Sequence, residues 1–211
     1  MAVPLPALPL DAFAADIRRR SPEPLGDSTV AALHAHYEEL RRWSPRLALI
    51  GPGTAGEILD RHFGESLAAL PWLPARDAGA LVDVGSGAGF PGLVLAAARP
   101  RWRVTLVEPR AKKWSFLQAA ARRAALSVRC LDARVGPSLP DGAPEVFDAV
   151  TVRALRLPAA SVEVLAARMA PGGRFLFWAG AEEPPLPGGW RFVKSLPLGE
   201  ARQRRLLIAE R

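Results

Sequence analysis

Between Ser28 and Trp43 the apolar residues Val30, Leu33, Tyr37 and Leu40 recur at alternating steps of three and four. That spacing draws one face of an amphipathic helix. Ser28 suits its N-cap, and Ser44-Pro45 its stop. A second helical stretch is expected from about residue 56 to 70. From Ala80 the texture changes: short apolar runs alternate with helical patterns, as parallel βαβ units do. Strands are predicted over 81–84, 104–107, 128–131, 146–152 and 174–178. Helices are predicted over 91–99, with Pro91 in the permitted first turn, over 111–125 and over 157–169, the last closed by Pro171-Gly172-Gly173. Residues 191–196 and 205–209 form a hairpin at the sheet edge. The pattern predicts an α/β fold: a Rossmann-like, doubly wound sheet over residues 80–211, preceded by an N-terminal helical extension over residues 1–79.

The turn after the first predicted strand reads Asp83-Val84-Gly85-Ser86-Gly87-Ala88-Gly89. Glycines there let the backbone approach a ligand, and the helix that follows offers unpaired N–H groups. Glu108 ends the second predicted strand, roughly 20 residues beyond the glycine turn, where a carboxylate accepts hydrogen bonds from ribose hydroxyls. A dinucleotide-binding turn would read G-x-G-x-x-G. Counted from Gly85, its third glycine falls on Phe90. The D-x-G-x-G-x-G spacing, with Asp83 two residues ahead of the first glycine, points instead to S-adenosylmethionine. Asp83 either meets the cationic methionine end of that cofactor or orients the loop around it. A glycine-rich turn without a ligand is the plain alternative.

Charge adds a partner class. The 211 residues carry 28 Lys and Arg against 21 Asp and Glu, a formal net charge of +7. Such an excess suits an anionic partner such as nucleic acid, although an arginine-rich composition alone produces it too. Cys130 is the only cysteine, which excludes a disulfide framework and a Cys-based zinc site and fits the cytoplasm. The apolar opening 1–10 lacks a preceding basic residue, is broken by prolines and ends at Asp11, so a soluble, untargeted protein is expected. His34 and His36, two apart on a helix, point in different directions, and no metal site is expected. Trp43, Trp72, Trp102, Trp114, Trp178 and Trp190 read as packing rather than base platforms. The basic groups Lys112-Lys113, Arg122-Arg123 and 202–205 suit phosphates or solvent equally.

The loop and its tail, Asp83 to Gly92 with Phe90-Pro91-Gly92, resemble the cofactor motif of the RsmG family (glucose-inhibited division protein B), which are 16S ribosomal RNA guanine-N7 methyltransferases. Tyr37-Glu38-Glu39-Leu40 with Trp43 is similar to that family's N-terminal helix. Glu57-Ile58-Leu59, Arg61-His62 and Ser66-Leu67 are similar to its next helix. Lys113 with Phe116-Leu117, Phe147-Asp148 with Arg153-Ala154, and Pro171-Gly172-Gly173 continue the likeness from about Ala32 to the C-terminus. Departures stand at Ser44, at Ala48-Leu49-Ile50, at Glu65 in place of Asp, at Gly136 in place of Glu and at Ala179 in place of Lys.

The resemblance implies a class I methyltransferase sheet, S-adenosylmethionine as cofactor, and 16S ribosomal RNA or the small ribosomal subunit as partner. It implies a cofactor site of Asp83, Gly85, Ser86, Gly87, Gly89, Phe90, Glu108, Val135, Gly136 and Arg153. Val135-Gly136 would flank the adenine, and Arg153 would stand beside cofactor and substrate as the catalytic arginine. Arg61, His62, Lys113 and Arg134 are candidate RNA contacts. Guanine N7 carries a lone pair and no proton, so no general base is needed and positioning carries the reaction. A monomer is expected. A methyltransferase for a small molecule or protein, favoured by the lost polar groups near Ala48 and Ala179, stays open, as does a non-catalytic cofactor- and RNA-binding module.

Overall fold

A computed structural model describes residues 4–51, 56–199 and 204–211. Helices α1 (Leu10–Arg20) and α2 (Asp27–Trp43) come first. A π-helical segment, Leu59–Gly64, then runs straight into the short helix α3 (Glu65–Leu67). The sheet follows, built from β1 (Ala80–Val84), β2 (Arg103–Val107), β3 (Val128–Leu131), β4 (Phe147–Arg153), β5 (Met169–Ala179), β6 (Arg191–Pro197) and β7 (Arg205–Glu210). Its crossover helices are α4 (Gly92–Ala98), α5 (Ala111–Arg123) and α6 (Ala159–Ala166). The strand order is β3-β2-β1-β4-β5-β7-β6, parallel as far as β5 and antiparallel through β7 and β6.

Ala-Leu-Val-Asp-Val of β1 is buried throughout, as a central parallel strand covered on both faces must be. One core face joins Phe13, Ile17, Leu33 and Tyr37 of α1 and α2 to Leu93 of α4 and Phe116 and Leu117 of α5. The other packs Val162 and Leu165 of α6 on Val82, Val150, Phe175 and Leu207. The helical extension therefore shares a core with the sheet, and α2 lies against both α4 and α5.

Four expectations change. Helix α1 was not anticipated, although it buries Phe13 and Ile17 at helical spacing. The stretch over 56–70 is not one α-helix but a π-helical, α-helical and 3₁₀ succession. Helix α2 starts at Asp27 behind Gly26, so Ser28 is not its N-cap. Strand β5 starts at Met169, before Pro171-Gly172-Gly173, because a bulge opposite Phe147–Ala149 absorbs those residues. At the other end of α2, Ser44 is the stop, its Oγ donating to Leu40 O at 2.6 Å. Among the described residues no helix is long and apolar enough to cross a membrane.

Candidate functional site

The strand order reverses between β1 and β4, and doubly wound sheets bind ligands beside such a switch, at the carboxyl ends of the strands. A cavity of about 480 Å³ opens there. Three glycines shape the turn beneath it: Gly85, Gly87 and Gly89 have φ of +75°, +56° and +84°, and the first two line its floor. A Cβ at Gly85 would stand 2.8 Å from Leu155 Cδ2, which lines the cavity. The loop is tied to the next strand by Gly85 N and Ser86 N, which donate to Val107 O at 2.8 and 3.1 Å.

Of the expected cofactor residues, Gly85, Ser86, Gly87, Phe90, Glu108, Val135, Gly136 and Arg153 line this cavity. Asp83 and Gly89 do not. The Asp83 carboxylate lies beneath the loop, accepting the Gly92 N–H at 3.2 Å and the Thr151 hydroxyl at 2.7 Å. Of the two roles open to it, it therefore orients the loop. Burial lifts its carboxyl to about 6, against the pull of Thr151, Ser86 and Gly92. Glu108 accepts Gly87 N–H at 2.9 Å and Arg110 N–H at 3.0 Å, one on each oxygen. A carboxylate offers about four lone-pair positions, so both oxygens keep acceptor capacity toward the cavity.

Arg153 is largely engaged within the protein. Its guanidinium pairs with Glu65 Oε2 at 2.7 Å and donates to the carbonyls of Arg61 and His62 and to Ser66 Oγ. Burial lowers it to about 10, with Glu65 acting in the opposite direction, so it stays charged at neutral pH. Arg204 meets the other oxygen of Glu65 at 3.2 Å, and Trp178 Nε1 donates to the Glu65 carbonyl at 2.9 Å. Glu65, absent from the expected site, is thus the hub that locks the π-helical segment onto β4 and β5.

That segment presents His62 to the cavity, its ring 5.0 Å from that of Phe90. Burial, then the charges of Arg153, Arg61 and Arg204, hold His62 down at about 3, so it is neutral at physiological pH. Lys113 and Arg134 also line the cavity, whereas Arg61 faces a second, smaller one with Arg20, Asp60 and Arg204. Arg110 and Arg156 join the cavity wall, which sequence reasoning had not singled out. Among the described residues the cations on this wall meet Glu108 as the one lining carboxylate, so the opening favours an anion. Burial depresses Lys113, with Glu108 opposing.

Helix α2 reaches the site through His36, which donates Nε2–H to Ala88 O at 2.8 Å. His34 turns the other way, to Leu8 O at 2.8 Å. Among the described residues no group of three or more His, Cys, Asp or Glu is placed to hold a metal ion. The indoles of Trp43, Trp102, Trp114 and Trp178 donate to Glu39, Arg76, Cys130 and Glu65, which makes them packing residues. Arg123 pairs with Glu39 and Arg205 with Glu183, while Arg202 lies outside the described residues.

A family profile described as GidB, rRNA small subunit methyltransferase G, matches residues 29–184. A Ribosomal RNA small subunit methyltransferase G from Xanthomonas campestris pv. campestris is 34% identical over 198 residues, 91% of this chain and 90% of that protein. Another, from Desulfotalea psychrophila, is 50% identical over 91 residues, 43% of this chain and 41% of the relative. Among solved structures, TrmN from Thermus thermophilus superposes with a TM-score of 0.57 at 19% identity, over 72% of this chain and 53% of that one. A putative methylase from Haemophilus influenzae gives 0.54 at 16% identity, over 69% and 86%. These two likenesses establish a shared fold.

Proposed function

The chain belongs to the GidB family of rRNA small subunit methyltransferase G proteins, and from that premise we propose that it methylates N7 of a guanine in 16S ribosomal RNA with S-adenosylmethionine as donor. The observation that carries this reading is the cationic wall of Arg110, Lys113, Arg134 and Arg153 around a glycine-floored cavity. Its volume of about 480 Å³ lies within the range of small-molecule sites, and Glu108 retains acceptors for ribose hydroxyls. Residues 80–211 form the cofactor domain in this reading, and residues 1–79 the extension that supports its loop.

Gly85, Ser86 and Gly87 would hold the methionine moiety and ribose beside Glu108, with Val135 and Gly136 against the adenine. The bound cofactor supplies an electrophilic methyl group on a sulfonium. What the protein must add is alignment, because guanine N7 is already a free lone pair. Neutral His62, packed on Phe90, would offer a flat wall to the guanine without adding charge. Arg153 holds that wall in place and keeps positive charge near the acceptor. Lys113 and Arg134 would meet phosphates, a sequence-independent and salt-sensitive contribution. Action in the cytoplasm, as a monomer, belongs to the same proposal.

The test is a comparison of acceptors. Radiolabelled methyl is offered with small-subunit RNA, large-subunit RNA and bulk protein as separate substrates. Label confined to small-subunit RNA supports the reading; label on large-subunit RNA or on protein overturns it.

A further inference from the structure

Ala88 and Gly89 share a peptide plane that is fixed at both ends. Its amide, Gly89 N–H, donates to Ser86 O at 2.7 Å within the loop. Its carbonyl, Ala88 O, accepts from His36 Nε2 of α2 at 2.8 Å, a contact made across 52 positions of sequence. The donor is a carbonyl's partner, so His36 is the tautomer protonated at Nε2, and Nδ1 carries the lone pair. That second nitrogen is buried without a hydrogen-bond partner among the described residues.

A buried polar atom without a partner is unfavourable, and a leucine would fill the same space with no such atom. The ring is nearly inaccessible, 1% exposed, between Phe90 at 5.0 Å and Phe63 at 5.4 Å. Packing alone therefore does not account for a histidine here. What the imidazole adds over a leucine is the one hydrogen bond to Ala88 O. Next to it, Gly89 has φ +84°, and a Cβ there would stand 2.5 Å from Leu93 Cδ1 and 3.0 Å from His36 Nε2. Leu93 and the His36 ring together fill the space behind the loop that the missing side chain leaves.

We propose that His36 is a positioning residue for the cofactor loop: from α2 it holds the Ala88 carbonyl back, so that the 85–89 backbone keeps the shape that receives the cofactor. This rests on the reading of the cavity as the S-adenosylmethionine site. Without His36 the carbonyl loses its anchor to α2, and among the described residues the plane is then held by the Ser86 contact. The N-terminal extension then acts on cofactor affinity without touching the cofactor.

The experiment compares wild type with His36→Leu, His36→Gln and Val30→Ala. Glutamine carries an amide N–H at the reach of Nε2 and restores the bond; Val30→Ala weakens the packing of the same helix away from the loop. Calorimetry with S-adenosylmethionine alone is expected to give at least tenfold weaker binding for His36→Leu. His36→Gln stays within about threefold of wild type, and Val30→Ala binds like wild type whatever its melting temperature. Without cofactor, amide exchange at Gly87 and Gly89 accelerates in His36→Leu only. Affinity that follows melting temperature across all three variants, or unchanged binding and exchange in His36→Leu, overturns the proposal. Wild type that fails to bind the cofactor overturns the reading of the cavity instead, and the exchange data then still decide whether His36 holds the loop.

Discussion

The carboxylate of Asp83 reaches across the glycine turn and accepts the backbone N–H of Gly92 at 3.2 Å, fastening the end of β1 to the start of α4. Space at Gly92 is closed: a Cβ there would stand 2.5 Å from Asp83 Oδ2 and would also strike Leu106. The Gly-Phe-Pro-Gly tail of the loop thus ends on a glycine that the buried carboxylate requires.

Gly92→Ala tests that closure. Forcing one methyl into a filled site costs about 1–3 kcal/mol, and here it also pushes Asp83 from its two donors. Thermal denaturation is expected to show a midpoint lowered by several degrees, with weaker cofactor binding. A variant as stable as wild type would mean that α4 moves without cost.

Arg153→Ala is expected to destabilise the fold as well as reduce activity. It strips Glu65 of one cation and leaves the carbonyls of Arg61 and His62 without that donor. Breaking a buried pair typically costs about 3–5 kcal/mol, discounted here because Arg204 still faces Glu65. Urea unfolding of Arg153→Ala, Glu65→Ala and the double variant should give a coupling of about 1 kcal/mol or more. Additive effects would reduce Arg153 to a ligand contact only.

Lys113→Ala is expected to weaken RNA binding at every sequence alike and to reduce the slope of log affinity against log salt by about one. Fluorescence titrations from low to high salt read this out. An unchanged slope removes Lys113 from the RNA contacts.

Stability should depend on pH through His36. Burial lowers it from 6.5 to about 4, so between those values the unfolded chain binds a proton that the fold refuses. Stability from this group is therefore lost as pH falls below about 6.5, with a slope approaching about 1.4 kcal/mol per pH unit. Asp83, raised from 3.8 to about 6, acts in the opposite sense over its own window, since there the folded state holds the extra proton. Urea unfolding at pH 7, 6 and 5 should show His36→Gln losing less stability on acidification than wild type. Parallel losses would exclude His36 as the source.

Elements whose logic is local were legible. The apolar runs of β1 and β2 and the spacing from Gly85 to Glu108 place the glycine loop after the first strand and the acid at the end of the second. Contacts that join distant segments were not: His36 meets Ala88 across 52 positions, and Arg153 meets Glu65 across 88. A single sequence carries no sign of which buried histidine faces which carbonyl. The π-helical form of Leu59–Gly64 was hidden as well, since π segments are rare interruptions of α-helices and the residues here read as an ordinary helical stretch. Pro171-Gly172-Gly173 read as a stop, yet a bulge lets the strand run through it, with Gly172 at φ +72°.

The most direct measurement is methyl transfer from radiolabelled S-adenosylmethionine to small ribosomal subunits lacking the modification, with the labelled nucleotide mapped. Wild type is run beside Gly85→Asp, whose side chain would collide with Leu155 and fill the cavity floor. The account predicts label at N7 of one guanine of 16S RNA in wild type and none in the variant. Label at another atom or in another molecule, or equal label with Gly85→Asp, would contradict it.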